Sequence, residues 1–202
     1  MIKTSRFKHL LLAAVFTTLA AALGGCQTPP PQESTVPAAE AGWQQMYSRL
    51  ASLQHFKMEG RIGIITPAQR GSARFQLEGL GSGYILTLNS PFGTSLVVIT
   101  ATENLTRVAM DDKTYDNERA EALFAALAGV KVPALTLRNI LLGMPEGTVQ
   151  TDASGRITGS EFAQYQISYA QSRDFDGYAL PSQLQIKGPD TEVRVRTDSF
   201  TL

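Results

Sequence analysis

Cysteine occurs once in 202 residues, at position 26. That excludes an intramolecular disulfide and any cysteine-cluster metal site. Histidine occurs twice, at His9 and His55; a zinc enzyme built on His55 and carboxylates alone would have too poor a donor set. Neither charge predominates, since 18 basic residues balance 18 acidic ones, whereas a nucleic-acid binder needs a basic excess. The apolar run 10–22 falls short of the roughly 20 residues that cross a bilayer. G-x-S-x-G, H-E-x-x-H and P-loop patterns are all missing. Gly79-Leu80-Gly81-Ser82-Gly83 sits between two strand patterns and opens no helix, so it reads as a hairpin turn and not as a phosphate cradle. Asp111-Asp112-Lys113 offers too few oxygen ligands for calcium and reads as a solvated turn. An enzyme has no residue to stand on here, and no cofactor is implied.

What is present begins with an address. Lys3, Arg6 and Lys8 precede the apolar run, which ends in Leu23-Gly24-Gly25-Cys26. Small residues at that point suit a signal-peptide cleavage pocket. With the sole cysteine immediately after them, the segment resembles the lipobox of bacterial lipoproteins; the alternative is a secretory signal with an incidental cysteine. The resemblance implies that residues 1–25 are removed and that the Cys26 thiol carries a diacylglycerol at the new N-terminus. Two or more acyl chains anchor stably, one only marginally. Gln27 is not the aspartate associated with inner-membrane retention, which implies the periplasmic face of the outer membrane. Losing three basic residues leaves fifteen against eighteen acidic, a formal charge of −3. Residues 26–41 then form a tether: QTPPPQESTVPAAEA carries four prolines and almost nothing to fill a core. Fifteen polyproline-like residues reach at most about 45 Å.

The folded domain is expected over 42–202. Trp43, Met46, Tyr47, Leu50 and Leu53 share one helix face. The period then changes to two, with strands expected at 56–65, 71–78, 83–89 and 94–100, and a continuation at 104–110. Asp116 or Asn117 can cap a helix bearing Ala120, Leu123, Phe124 and Leu127 and closed by Gly129. Pro133 suits the first turn of another, with Leu137, Ile140 and Leu141 on one face and Gly143 and Pro145 as stop signals. Strand patterns resume at 148–151, 156–161, 165–169, 180–187 and 192–200, with 152–155 as a hairpin turn. The pattern predicts an α+β fold: an antiparallel half-barrel or open β-barrel of about ten strands, capped by helices that bury their apolar faces in its concave side.

One loop is out of character. Ser90-Pro91-Phe92-Gly93-Thr94 joins two well-patterned strands, and its serine, proline and glycine are ordinary turn residues. Phe92 is not. Its ring either folds back onto the core or meets something apolar outside, and the loop pattern by itself leaves both open.

The order and spacing of several weak motifs resemble the LolB family over essentially the whole domain. They are the helix from Trp43, Glu59-Gly60-Arg61-Ile62-Gly63-Ile64, Ser72-Ala73-Arg74-Phe75, the run 84–93 ending in Pro91-Phe92-Gly93, Val132-Pro133, the run 137–145 and Leu180-Pro181. The resemblance implies an eleven-stranded half-barrel with an apolar cavity, which accepts lipoproteins from the periplasmic carrier LolA and inserts them into the outer membrane. It also implies that Phe92, where leucine is commoner, projects from the Pro91–Gly93 loop into the bilayer. Leu77, Ile140, Tyr165 and Phe200 stand where the family favours tryptophan, so the cavity is expected to differ in shape.

Such a task needs an apolar shelter. A fatty-acyl chain of about fifteen methylenes, at roughly 0.8 kcal/mol per buried CH₂, costs on the order of 12 kcal/mol to expose to water. Cargo must pass by contact, from carrier to receptor to membrane, each binding the chains more tightly than the last. The candidate cavity liners are Ile62, Ile64, Phe75, Leu77, Leu86, Leu88, Leu96, Val98, Leu123, Phe124, Leu127, Leu137, Ile140 and Leu141. The same composition would serve a filled core, because pockets and cores are lined alike. Two other functions are compatible with it: a lipid-binding lipoprotein without transfer activity, and a structural lipoprotein with a dry interior. The expected partners are a LolA-type carrier, the acyl chains of client lipoproteins and the outer-membrane bilayer; one-to-one contact needs only a monomer.

Overall fold

The structure, a computed structural model, describes residues 38–67 and 70–202. Cys26, the expected leader and the expected tether up to residue 37 lie outside the described residues. Helix α1 (Ala38–Ala51) is followed by β1 (Lys57–Ile65), β2 (Arg70–Leu80), β3 (Gly83–Asn89), β4 (Ser95–Ala101), β5 (Thr106–Met110) and β6 (Lys113–Asp116). Two helices intervene, α2 (Asn117–Ala128) and α3 (Thr136–Leu142). The chain then returns through β7 (Thr148–Thr151), β8 (Ile157–Phe162), β9 (Tyr165–Phe175), β10 (Tyr178–Lys187) and β11 (Glu192–Thr201). All strands join one antiparallel sheet in the order β6-β5-β4-β3-β2-β1-β11-β10-β9-β8-β7. Two meanders therefore meet where β1 pairs with β11, while the outermost strands, β6 and β7, stay unpaired with each other. The sheet is an open half-barrel, and α2 and α3 make the connection across its open side.

One face of every long strand builds the core. Met58, Phe75, Leu77, Tyr84, Leu86, Val97, Ile99, Ile186, Val193 and Val195 are all buried, and they fall at alternate positions, as the two-residue pleat requires. The core residues run from Leu50 to Phe200, so the chain from α1 onward carries this whole apolar interior. At the seam between the meanders a bulge falls between Glu59 and Gly60 opposite Thr197 and Ser199. Gly60 is there because a Cβ would stand 2.0 Å from the Arg196 carbonyl oxygen.

Several elements differ from their sequence reading. The tether was expected to run to residue 41, but α1 starts at Ala38; Ala38-Ala39-Glu40-Ala41 are good helix formers once the prolines end. The turn at 111–112 is present, with both aspartates at positive φ, but it is a tight hairpin whose second arm, β6, the pattern missed. β9 and β10 extend to a two-residue hairpin at Asp176-Gly177, both at positive φ; this Asp-Gly signal was in the sequence. Asp116 precedes α2 with extended backbone but makes no side-chain cap. Its carboxylate instead accepts two hydrogen bonds from Arg107, at 2.7 and 2.9 Å. Pro133 lies ahead of α3, where its carbonyl accepts the Thr136 N–H. Gly129 and Gly143 close their helices in the left-handed conformation, as expected.

Candidate functional site

Beneath α2 the sheet and helices leave an apolar space of about 40 Å³. Ile62 and Ile64 on β1, Leu86 and Leu88 on β3, Phe124 and Leu127 on α2, and Leu137 on α3 border it. The sequence reading named these seven. It did not name Ile99, Ala128, Val130, Ile186 and Val193, which complete the lining. Ile186 and Val193 were readable as alternate apolar residues of their strands; that β11 closes back against β1, with β10 beside it, was not.

The other candidates separate into two groups. Phe75, Leu77, Ile140 and Leu141 are buried and Leu123 is half-buried; all five pack in the core away from the space. Leu96 and Val98 face outward, which corrects their placement among the inward residues. Val97 pairs with Leu88 and Ile99 with Leu86, and a bulge at Leu96 shifts the register by one. One residue of slip exchanges the faces of a strand. Leu96 is accordingly 45% exposed.

The space is also small. It is far below the roughly 300 Å³ at which small-molecule pockets begin; in this conformation it shelters no acyl chain. At the positions where tryptophan was expected, Leu77, Ile140, Tyr165 and Phe200 are all buried. Phe200 lies 5.5 Å from Phe56 and 6.0 Å from Tyr178, centroid to centroid, in an aromatic cluster under α1.

The helices over the space are held by a few polar contacts. The Tyr84 hydroxyl donates to the Ala134 carbonyl at 2.7 Å, and Tyr169 donates to Ile140 O at 3.1 Å. Burial pushes both phenols above their ordinary range, so they stay neutral donors. The Lys131 N–H donates to the Tyr165 hydroxyl at 2.7 Å. Glu121 on α2 accepts from Thr106 Oγ1 on β5 at 2.7 Å and from the Ala134 N–H at 3.0 Å. On α3, Arg138 is buried across the Phe56 ring and donates to the Leu53 carbonyl at 2.6 Å. Burial lowers its pKa.

At the end of the sheet nearest Leu88, the β3–β4 loop carries Phe92, 95% exposed. The Gly93 N–H donates to Ser90 O at 3.0 Å, which closes a turn with Pro91 and Phe92 at its centre. The Ser90 N–H donates to Thr94 O, and Ser90 Oγ accepts from the Thr94 N–H at 3.1 Å. Gly93 has φ +88°, which an L side chain resists. The ring is thus held out by a braced turn instead of folding back onto the core. Of the two possibilities for Phe92, the structure has the outward one. Among the described residues no metal-binding cluster occurs and no helix is long and apolar enough to cross a membrane.

Comparison with known proteins agrees with this architecture. Among solved structures, a LolA superfamily protein from Nitrosomonas europaea superposes with a TM-score of 0.54 at 10% identity, covering 79% of this chain and 93% of its own. A DUF1329 family protein from Desulfovibrio piger superposes at 0.55 and 8% identity, covering 82% and 93%. At these identities the likeness is one of fold. In sequence, "Outer-membrane lipoprotein LolB" of Aeromonas hydrophila is 30% identical over 182 residues, covering 89% of this chain and 91% of its own. The protein of the same name from Tolumonas auensis is 32% identical over 163 residues, covering 79% and 84%. The family profile described as "Outer membrane lipoprotein LolB" matches residues 54–199, a span that takes in the half-barrel, its covering helices and the Phe92 turn. The chain belongs to the LolB family.

Proposed function

We propose that this protein is an outer-membrane lipoprotein receptor, anchored through acylated Cys26, which takes acylated lipoproteins from a LolA-type carrier and releases them into the bilayer. The observation that carries the reading is the pairing of an apolar interior covered by helices with an exposed phenyl ring at the same end of the sheet. Acyl chains enter when α2 parts from the sheet. They then cover Ile62, Ile64, Leu88 and Leu127, so the opened apolar surface never stands bare in water. Phe92 meets the membrane interface first and brings the open end against the lipid, where the chains lose nothing by leaving. The chain works as a monomer on a tether of residues 26–37, and no covalent step is required.

A lipid store would need standing room for a chain in its resting form, and about 40 Å³ provides none. A receptor needs room only during transfer. The experiment is the release of lipoprotein from loaded LolA into outer-membrane-like vesicles. Wild type is expected to accept and insert cargo, and Phe92→Glu to accept it but insert at least tenfold more slowly. A Phe92→Glu protein that inserts at the wild-type rate removes the role given to the loop, and failure of wild type to accept cargo removes the receptor.

A further inference from the structure

The outer face of the sheet bears a feature that neither the core nor the cargo site uses. Arg74 on β2, Arg61 on β1 and Arg196 on β11 stand directly opposite one another in register. Arg194 and Arg70 continue the patch on the same face. The side chains of Arg61, Arg194 and Arg196 are about two-thirds exposed, at 66%, 65% and 64%, and Arg70 and Arg74 are exposed as well. Like charges directly opposite on neighbouring strands destabilise a sheet, so the row is not there to hold the fold together. Only part of it is neutralised. Asp198, the extra residue of the β11 bulge, reaches Arg61 at 3.5 Å and Arg196 at 3.1 Å, and Glu192 pairs with Arg194. Arg74 faces no carboxylate within ion-pair distance among the described residues.

Two further observations say what the row meets. Arg74 pairs in register with Asn89, the residue before the Phe92 turn, and the bulged, exposed Leu96 lies just past that turn. An apolar wedge thus adjoins a basic stripe, the combination by which peripheral proteins hold anionic membrane surfaces. Gly63 and Ser72 also leave an open hollow between Arg61 and Arg194, where a Cβ on Gly63 would meet nothing nearer than 3.9 Å. Strands about 4.8 Å apart set the arginines close enough for one phosphate to be met by more than one guanidinium. The mature chain is formally −3; without this segregation of arginines it would be repelled by an anionic bilayer.

We propose that Arg61, Arg74 and Arg196, with Arg194 and Arg70 beside them, form a binding face for anionic phospholipid headgroups, which tilts the domain so that the Phe92 turn enters the membrane. The proposal rests on the receptor reading only in taking the Phe92 end as the membrane side. Flotation of residues 27–202, which carry the whole described core, with vesicles of phosphatidylcholine alone or mixed with phosphatidylglycerol tests it. Wild type should bind the mixed vesicles more tightly, with an increment that shrinks as salt is raised. At about fivefold per arginine near an anionic surface, Arg61→Gln/Arg74→Gln/Arg196→Gln should lose roughly a hundredfold of that increment. Asp198→Asn should gain a few-fold, and Phe92→Ala should keep the dependence on phosphatidylglycerol. Equal binding of wild type to both vesicles, or an unchanged triple variant, overturns the proposal. So does a triple variant that binds vesicles normally but takes cargo poorly from loaded LolA, because the face would then belong to the carrier. Cargo transfer into neutral vesicles tests the receptor reading separately.

Discussion

Asp152 shows how much one short side chain can organise. Its carboxylate accepts from Ser154 Oγ at 2.6 Å, the Ser154 N–H at 2.8 Å, the Arg156 N–H at 3.1 Å and Arg156 Nε at 3.2 Å. The Ser154 hydroxyl first, and then the Arg156 amide, hold its pKa down at about 2, against an ordinary 3.8. The turn it ties off lies against Gly42 of α1, whose Cβ position is 3.5 Å from Ser154 O. A carboxyl depressed in the folded state stabilises above its unfolded pKa, and that stabilisation disappears as pH falls through the folded value. The contribution of Asp152 should therefore be intact above pH 4 and lost toward pH 2. Carbon-detected NMR titration of the carboxylate would show a midpoint near 2, and Asp152→Asn should flatten the acid limb of stability against pH; a midpoint near 4 would contradict the hydrogen-bond account. Phe92 is the opposite kind of residue, written plainly in the sequence as an anomaly between two turn residues. Its outward direction was not readable, because that depends on hydrogen bonds of Ser90 and on the conformation of Gly93. Leu96 and Val98 were misplaced for a related reason: a bulge is a backbone event, and alternation in the sequence carries no sign of it.

Helix α2 is a cover held by specific contacts more than by a broad apolar seam. On α2 only Ala120 and Phe124 are fully buried, while Leu123 and Leu127 are half-buried. Tyr84 fastens the segment after α2 to β3 through Ala134. Tyr84→Phe removes the donor, leaves a buried carbonyl unpaired and should cost about 1–2 kcal/mol. Denaturant unfolding measures that loss, and cargo exchange should quicken if opening limits it. Ala128→Val acts in the opposite direction. Filling about 40 Å³ is worth up to roughly 1 kcal/mol at about 24 cal/mol per Å³ of cavity, less a few tenths for valine's poorer helix propensity. The variant should melt slightly higher and accept acyl cargo more slowly. Equal acceptance rates for the two variants and wild type would mean that the closed arrangement is not what cargo must displace. α3 departs from the simple amphipathic cap expected of it. Thr136, Leu137, Arg138, Ile140, Leu141 and Leu142 are all buried; on the side that a periodic pattern would leave to water, Arg138 meets Leu53 and Phe56 of the segment between α1 and β1.

For the molecule as a whole, the pairing order implies where motion is cheap. β1, β2, β10 and β11 have neighbours on both sides, whereas β6 and β7 each have one and frame the gap bridged by α2 and α3. Adding acyl-loaded carrier should therefore raise hydrogen–deuterium exchange in residues 117–130 while the amides of β1, β2, β10 and β11 stay protected. Uniform loosening across the sheet would mean that the half-barrel itself opens, and uniform protection that no part of the cover moves. This division also explains how a nearly filled interior suits a receptor. Open apolar surface in water is unfavourable in proportion to its area, so the stable form without cargo is the one in which the helices and Ile62, Ile64, Leu88 and Leu127 close the space themselves.

The strand rhythm, the two central helices, the resemblance to LolB and the odd aromatic residue in the β3–β4 turn were all properties of the chain, because periodicity and turn chemistry are local and survive being written in one dimension. Closure of the sheet through β1 and β11, the faces of Leu96 and Val97, the burial of Arg138 and the alignment of Arg61, Arg74 and Arg196 were decided only by tertiary structure. The closure and the arginine row depend on register within the sheet, which is set by which side chains share a core. The faces of Leu96 and Val97 depend on a bulge in the β3–β4 pairing, and the burial of Arg138 on the segment packed against α3.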